Sequence, residues 1–137
     1  MDVNENLSKL KNRLGMIIPK DYEKFIQETN IFDYADVIIK VDNIEIEINH
    51  FLKVDNTNPS LDLRGWYFFA EPERIDYLTI VMGYGNEEIA IKTLGKDVGG
   101  IYFINQAEEE VVIKKLYDNF NDFKEVLVKN KENSKNL

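Results

Sequence analysis

The stretch from Tyr77 to Ile104, YLTIVMGYGNEEIAIKTLGKDVGGIYFI, decides the fold. It holds three apolar runs, Tyr77 to Met82, Glu88 to Thr93 and Gly100 to Ile104, each of strand length and too short for a stable helix. Between them stand Gly83-Tyr84-Gly85-Asn86 and Gly95-Lys96-Asp97-Val98-Gly99, whose glycines and polar side chains are turn chemistry. Runs and turns at this spacing predict an antiparallel meander. Upstream, Val37-Ile38-Ile39 is β-branched, and Ile44, Ile46 and Ile48 alternate with Glu45, Glu47 and Asn49, so Asp42-Asn43 reads as a hairpin turn between two more strands. Residues 55 to 65 read as a loop, and Trp66-Tyr67-Phe68-Phe69 as a strand that Glu71-Pro72-Glu73 breaks.

Helical periods flank this β-rich centre. Leu7, Leu10 and Leu14 predict a short helix over residues 5 to 14, ended by Gly15. Pro19 and Asp21 then open a second helix running to about Asn30, with Tyr22, Phe25, Ile26 and Thr29 on one face. Ile113, Leu116, Tyr117, Phe120, Phe123, Val126 and Leu127 predict one long helix that covers the sheet, approached by the solvated run Glu108-Glu109-Glu110. The fold expected is α+β: a single domain over residues 1–128, a mostly antiparallel sheet of about five to six strands, two N-terminal helices and one long C-terminal helix. Residues 129–137 are expected to form a polar, disordered tail.

Composition narrows the function classes. The chain has 137 residues, 17 basic against 25 acidic side chains, a formal charge of -8 and no cysteine. A chain of this length buries roughly 68% of its unfolded surface, so its core needs no disulfide or metal staple. The missing cysteines remove thiolate nucleophiles and Cys-based metal sites, and they agree with a reducing, cytoplasmic location. There is no apolar run long enough to span a bilayer, and the first residues lack the pattern of a signal peptide. Net acidity disfavours nucleic acid and anionic membranes as partners and favours a basic protein.

Catalytic constellations are poorly supplied. A Ser-His-Asp arrangement would need His50, the single histidine, with Ser8, Ser60 or Ser134, none of which sits in a nucleophile-elbow context. His50 reads instead as a structural or surface residue. Zinc lacks ligands, and Asp55-Asn56-Thr57-Asn58-Pro59 departs from calcium-loop spacing. Gly95-Lys96-Asp97-Val98-Gly99-Gly100 resembles a phosphate loop only superficially, because the lysine precedes the last glycine and a strand follows. The expectation is therefore no catalytic residue, no metal and no cofactor. Trp66 to Phe69 divide by alternation between core and surface, and Tyr84, an aromatic between two turn glycines, serves either recognition or loop filling.

The order of these pieces resembles the SUKH superfamily, the Smi/Knr-like domains. Ile18-Pro19-Lys20-Asp21-Tyr22-Glu23-Lys24-Phe25 with Asn30 is similar to the family's opening helix. Ile80 to Asn86 with Ile89 resembles its apolar strand, glycine turn and second strand, Ile101-Tyr102-Phe103 the next strand, and Phe120-Asn121-Asp122-Phe123 with Val126-Leu127 its closing helix. Two positions depart from the pattern: Ile31 stands where glycine is usual after Asn30, and Asn86 where aspartate is usual. Asparagine tolerates a left-handed turn, so the fold is not endangered. The resemblance implies a binding domain rather than a catalyst. Many bacterial members are immunity proteins that neutralise a cognate toxin, often a nuclease or another nucleic-acid-modifying enzyme, and others are intracellular scaffolds or regulatory interaction modules.

On that basis the partner-binding residues expected are Tyr84 and Asn86, the neighbouring pair Glu87 and Glu88, and Glu45 and Glu47, which leave the core on one face of their strand. The implied partner is a cognate, basic toxin protein.

Overall fold

The computed structural model describes residues 18–52, 76–105 and 111–135. In chain order these form α1 (Lys20–Glu28), β1 (Ile38–Val41), β2 (Ile44–Phe51), β3 (Tyr77–Gly83), β4 (Glu87–Lys92), β5 (Ile101–Asn105), β6 (Val112–Tyr117) and α2 (Phe120–Lys135). The six strands make one sheet in the order β1-β2-β3-β4-β5-β6, every neighbouring pair antiparallel. The meander and the β1–β2 hairpin are thus as the sequence leads one to expect, with Val41 opposite Ile44 and Asp42 in the left-handed region at φ 54°. The helix expected over residues 5 to 14 and the strand expected at Trp66 to Phe69 lie outside the described residues, which hold two helices.

Local chemistry sets the helix ends. Pro19 has no N–H to leave unpaired and its carbonyl accepts the first helical bond, from the Glu23 N–H at 3.0 Å. Asp21 and Glu23 lie in the first turn, where the helix dipole favours negative charge. Tyr22, Phe25 and Ile26, spaced to share one face, are buried. Thr29 is already extended, so α1 stops short of Asn30. Asn30 then opens a turn instead: its Oδ1 accepts from the Phe32 N–H at 2.9 Å and its carbonyl from the Asp33 N–H at 3.0 Å.

The C-terminal third differs from the sequence expectation. Val112 to Tyr117 is not the first half of a long helix but an edge strand paired with β5. Ile101 lies opposite Tyr117, yet Tyr102 lies opposite Lys115, so Leu116 is an extra residue in the ladder. That bulge places Ile113, Leu116 and Tyr117 at a spacing that imitates a helix face. The helix begins only after Asn119, whose Oδ1 accepts from the Asp122 N–H at 2.9 Å while its Nδ2 reaches Asp122 Oδ2 at 3.3 Å, a reciprocal cap. Glu108 to Glu110 lie outside the described residues, and the next described element is β6 rather than a helix. At its other end α2 continues to Lys135, past Lys129 where the polar composition predicts a tail.

The core sits between one face of the sheet and the two helices. Leu78, Ile80, Val81, Ile89, Ile91, Ile101 and Phe103 meet Tyr22 and Phe25 of α1 and Phe120, Phe123 and Leu127 of α2. Phe25 is central: its ring lies 5.1 Å from both Phe51 and Phe120. Each such side chain contributes about 1.5–3 kcal/mol by leaving water. Helix α2 touches both outer strands, β1 and β6. Asn130 donates to the Ile38 carbonyl on the β1 edge at 2.9 Å, and Lys114 of β6 pairs with Asp42 of the β1–β2 turn at 3.7 Å. The sheet thus curls towards a barrel, with α2 across the gap.

Candidate functional site

The β3–β4 turn and the segment entering β1 meet on the outer side of the sheet. Tyr84, at the turn, is 57% exposed, and its hydroxyl donates to Asp36 Oδ1 at 2.5 Å. Asp36 holds a left-handed backbone at φ 69°, fixed by its N–H donating to the Ile48 carbonyl at 2.7 Å while the Ile48 N–H donates to the Val37 carbonyl at 2.9 Å. An exposed aromatic is thereby held by a partner that is itself held by the sheet. The Tyr84 phenol is raised above the usual tyrosine value, first by the hydrogen bond to Asp36, then by desolvation, then by the negative charges of Asp36 and Glu47.

That coupling joins two of the regions read from the sequence. Glu47 is exposed on β2, opposite Ile38, and close enough to Tyr84 for its charge to act there. Glu45 is exposed one alternation further along, opposite Lys40. Glu87 is half-buried and folds back on the turn, its Oε2 accepting the Gly85 N–H at 3.1 Å. A Cβ on Gly85 would stand 2.9 Å from that same oxygen, so a side chain there would push the Glu87 carboxylate off the turn. Asn86 is exposed, but it does not take the left-handed conformation the sequence suggests; among the described residues the non-glycine positions with positive φ are Asp36, Asp42 and Asp97.

Glu88 does not belong to this surface. It is 3% exposed, and its Oε1 accepts from the Thr79 hydroxyl at 2.8 Å. Adjacent residues of a strand point to opposite faces, so Glu87 and Glu88 cannot form one acidic pair, and both faces of β4 are buried at Glu88 to Ile91. Its carboxylate is a structural group inside the protein.

His50 is buried too, beneath the Phe32 ring at 5.9 Å. Its Nε2 has no hydrogen-bond partner among the described residues, and burial lowers its pKa. The Gly95 to Gly99 segment is a hairpin loop, with Gly95 and Gly99 at φ 80° and 95°. Among the described residues, no three histidine, aspartate or glutamate side chains group together as metal ligands would.

Sequence reasoning misses Asp36 and Phe32. Asp36 is 48 positions from Tyr84, and no local pattern encodes their bond. Phe32 looks like a core residue by type, yet it is exposed, with Ile31 turned inward in its place.

Among known protein families, the SMI1 / KNR4 family (SUKH-1) matches residues 4–125. No curated protein and no solved structure matches the chain.

Proposed function

Because the chain belongs to the SMI1 / KNR4 family (SUKH-1), we propose that it is a non-catalytic protein-binding domain that acts as an immunity protein. Its partner is a cognate bacterial toxin, a nuclease or another enzyme that attacks nucleic acid, and it works in the cytoplasm. The observation that carries this reading is Tyr84: an aromatic side chain open to solvent, anchored by Asp36 and bordered by the carboxylate of Glu47. Aromatic anchors dominate protein interfaces when they are rigid before contact. Carboxylates around such an anchor steer a basic partner towards it and speed encounter more than they raise affinity. A nucleic-acid enzyme carries basic surface where its substrate binds, so an acidic domain of charge -8 fits over it. The alternative reading is an intracellular scaffold or regulatory interaction module of the same family.

Growth in the presence of toxin separates the two. The chain is co-expressed with the protein encoded in the adjacent reading frame, and colonies are counted with and without it. Growth restored by this chain supports immunity. Toxicity that persists while both proteins accumulate assigns the chain to the interaction-module branch of the family.

A further inference from the structure

Large hydrophobic side chains are well exposed at five of the described positions: Phe32, Ile38, Tyr84, Val112 and Val128. Three of them are tied to Asp36: Phe32 and Ile38 along the chain and Tyr84 by its hydrogen bond, with the Phe32 ring resting against His50 of β2. Phe32 precedes Asp36 in the turn that enters β1, Ile38 follows it on β1 opposite Glu47, and Tyr84 reaches it through its hydroxyl. Phe32 is 56% exposed and Ile38 41%, although both lie on well-bonded backbone. The Phe32 N–H donates to Asn30 Oδ1, and the Ile38 carbonyl accepts from Asn130. Their exposure is therefore not fraying of a loose segment. Clustered apolar side chains on ordered backbone mark interaction surfaces, where single scattered ones do not.

We infer that Phe32, Ile38 and Tyr84 form one docking surface, and that its occupant is a protein face carrying an apolar side chain flanked by lysine or arginine. The inference rests on the reading of this chain as a protein-binding domain and adds two anchors and a partner chemistry to it. Charge decides the occupant. Asp33 follows Phe32 in the turn, Asp36 and Glu47 act on Tyr84, all three are exposed, and none of them is in an ion pair among the described residues. Several lysines are engaged elsewhere: Lys114 with Asp42, Lys115 with Asp118, and Lys131 over the Tyr34 ring. Lys40, on β1, lies opposite Glu45, one alternation beyond the Ile38–Glu47 pair. A second copy of the chain would bring like charges face to face, which costs affinity. A face with cations around an apolar centre satisfies both parts of the surface.

The test is a titration of the isotope-labelled full chain, followed by amide resonances, with three short synthetic peptides that alternate leucine with arginine, serine with arginine, and leucine with glutamate. The leucine–arginine peptide should shift the amides of residues 31–38, Glu47 and 84–87, and bind about tenfold more tightly than the serine–arginine peptide. Phe32→Ser and Ile38→Ser should each weaken it severalfold, while Val112→Ser should leave it unchanged; retained amide dispersion checks that each variant is folded. Equal binding of the two arginine peptides, shifts centred on Val112 or Val128, preference for the leucine–glutamate peptide, or no binding at millimolar concentration would overturn the inference. Its failure is distinct from that of the immunity reading: growth can be restored by a complex that uses another face, and this surface can bind the peptide in a chain that restores no growth.

Discussion

Replacing Tyr22 by phenylalanine should stabilise the protein, although it deletes a polar atom from an intact structure. Tyr22 is fully buried on α1, its ring edge-on to Phe120 at 5.3 Å and 67°. Its hydroxyl has no hydrogen-bond partner among the described residues, and burial alone drives its pKa far above the usual tyrosine value. A buried hydroxyl without a partner costs about 1–3 kcal/mol relative to one solvated in the unfolded chain. Tyr22→Phe removes that cost and keeps the ring packing. Against it stands the small void left by one oxygen, on the order of 0.3 kcal/mol at the cavity cost per Å³ measured in cores. A net gain of about 1 kcal/mol is expected, or about 3 °C in Tm for a chain of this size. Urea denaturation followed by circular dichroism measures it, with an unchanged m-value required so that the shift in midpoint reports stability. A loss of 1 kcal/mol or more would mean that the hydroxyl is hydrogen-bonded, and the reasoning would be wrong.

Glu88→Lys should abolish folding rather than weaken partner binding, and Thr79→Val should cost about 1–3 kcal/mol by removing one donor from the buried carboxylate; a well-folded Glu88→Lys protein would contradict this. Tyr84 should ionise above the usual tyrosine range and Asp36→Asn should lower it towards that range, as read from the Tyr84 ring-carbon resonance during a base titration. Because the folded pKa is the higher one, this contribution to stability is present below about pH 10 and is lost as pH rises through the folded value. His50 has the opposite linkage: its folded pKa is lowered, so the unfolded chain takes up the proton first and stability declines as pH falls below about 6.5. His50→Gln should reduce the loss of stability between about pH 7.5 and 5.5 in paired denaturation curves, and it should remove no enzymatic turnover. In binding kinetics with the cognate toxin, Tyr84→Ala should raise dissociation by about thirtyfold, the size of a 2 kcal/mol anchor. Joint reversal of Glu45, Glu47 and Glu87 to lysine should instead slow association and flatten its salt dependence; unchanged kinetics in both variants would place the interface elsewhere.

How far the sequence could be read depended on how local each signal was. The Asp42-Asn43 hairpin and the glycine turns at Gly83 to Asn86 and Gly95 to Gly99 are short-range devices, and each stands where its residues indicate. Strand β6 is hidden for a specific reason: Val112-Ile113-Lys114-Lys115-Leu116-Tyr117 runs in pairs rather than alternating and carries an extra residue at Leu116, so its apolar positions imitate helical spacing. The Asn119–Asp122 cap was a local signal for the true helix start, but the apolar stripe running across it hid the boundary. Glu88 was misplaced because charge suggests solvent while β4 is buried on both faces, so neither alternation nor residue type indicates its direction. The Tyr84–Asp36 bond was illegible in principle, since it depends on how the β3–β4 turn folds over the segment that enters β1. Tyr84 itself could be singled out because it stands between glycines that leave it no local packing.

The most direct test of a stoichiometric, non-catalytic neutraliser is a titration of toxin activity. Purified toxin domain from the adjacent reading frame is held at fixed concentration, this chain is added in steps, and cleavage or modification of nucleic acid is measured at each step. The account predicts a linear fall that reaches zero at one molecule of this chain per toxin, with the two proteins co-eluting on a sizing column. Toxin activity that persists at molar excess, or that is abolished by a small fraction of an equivalent as an enzyme would do, would contradict it.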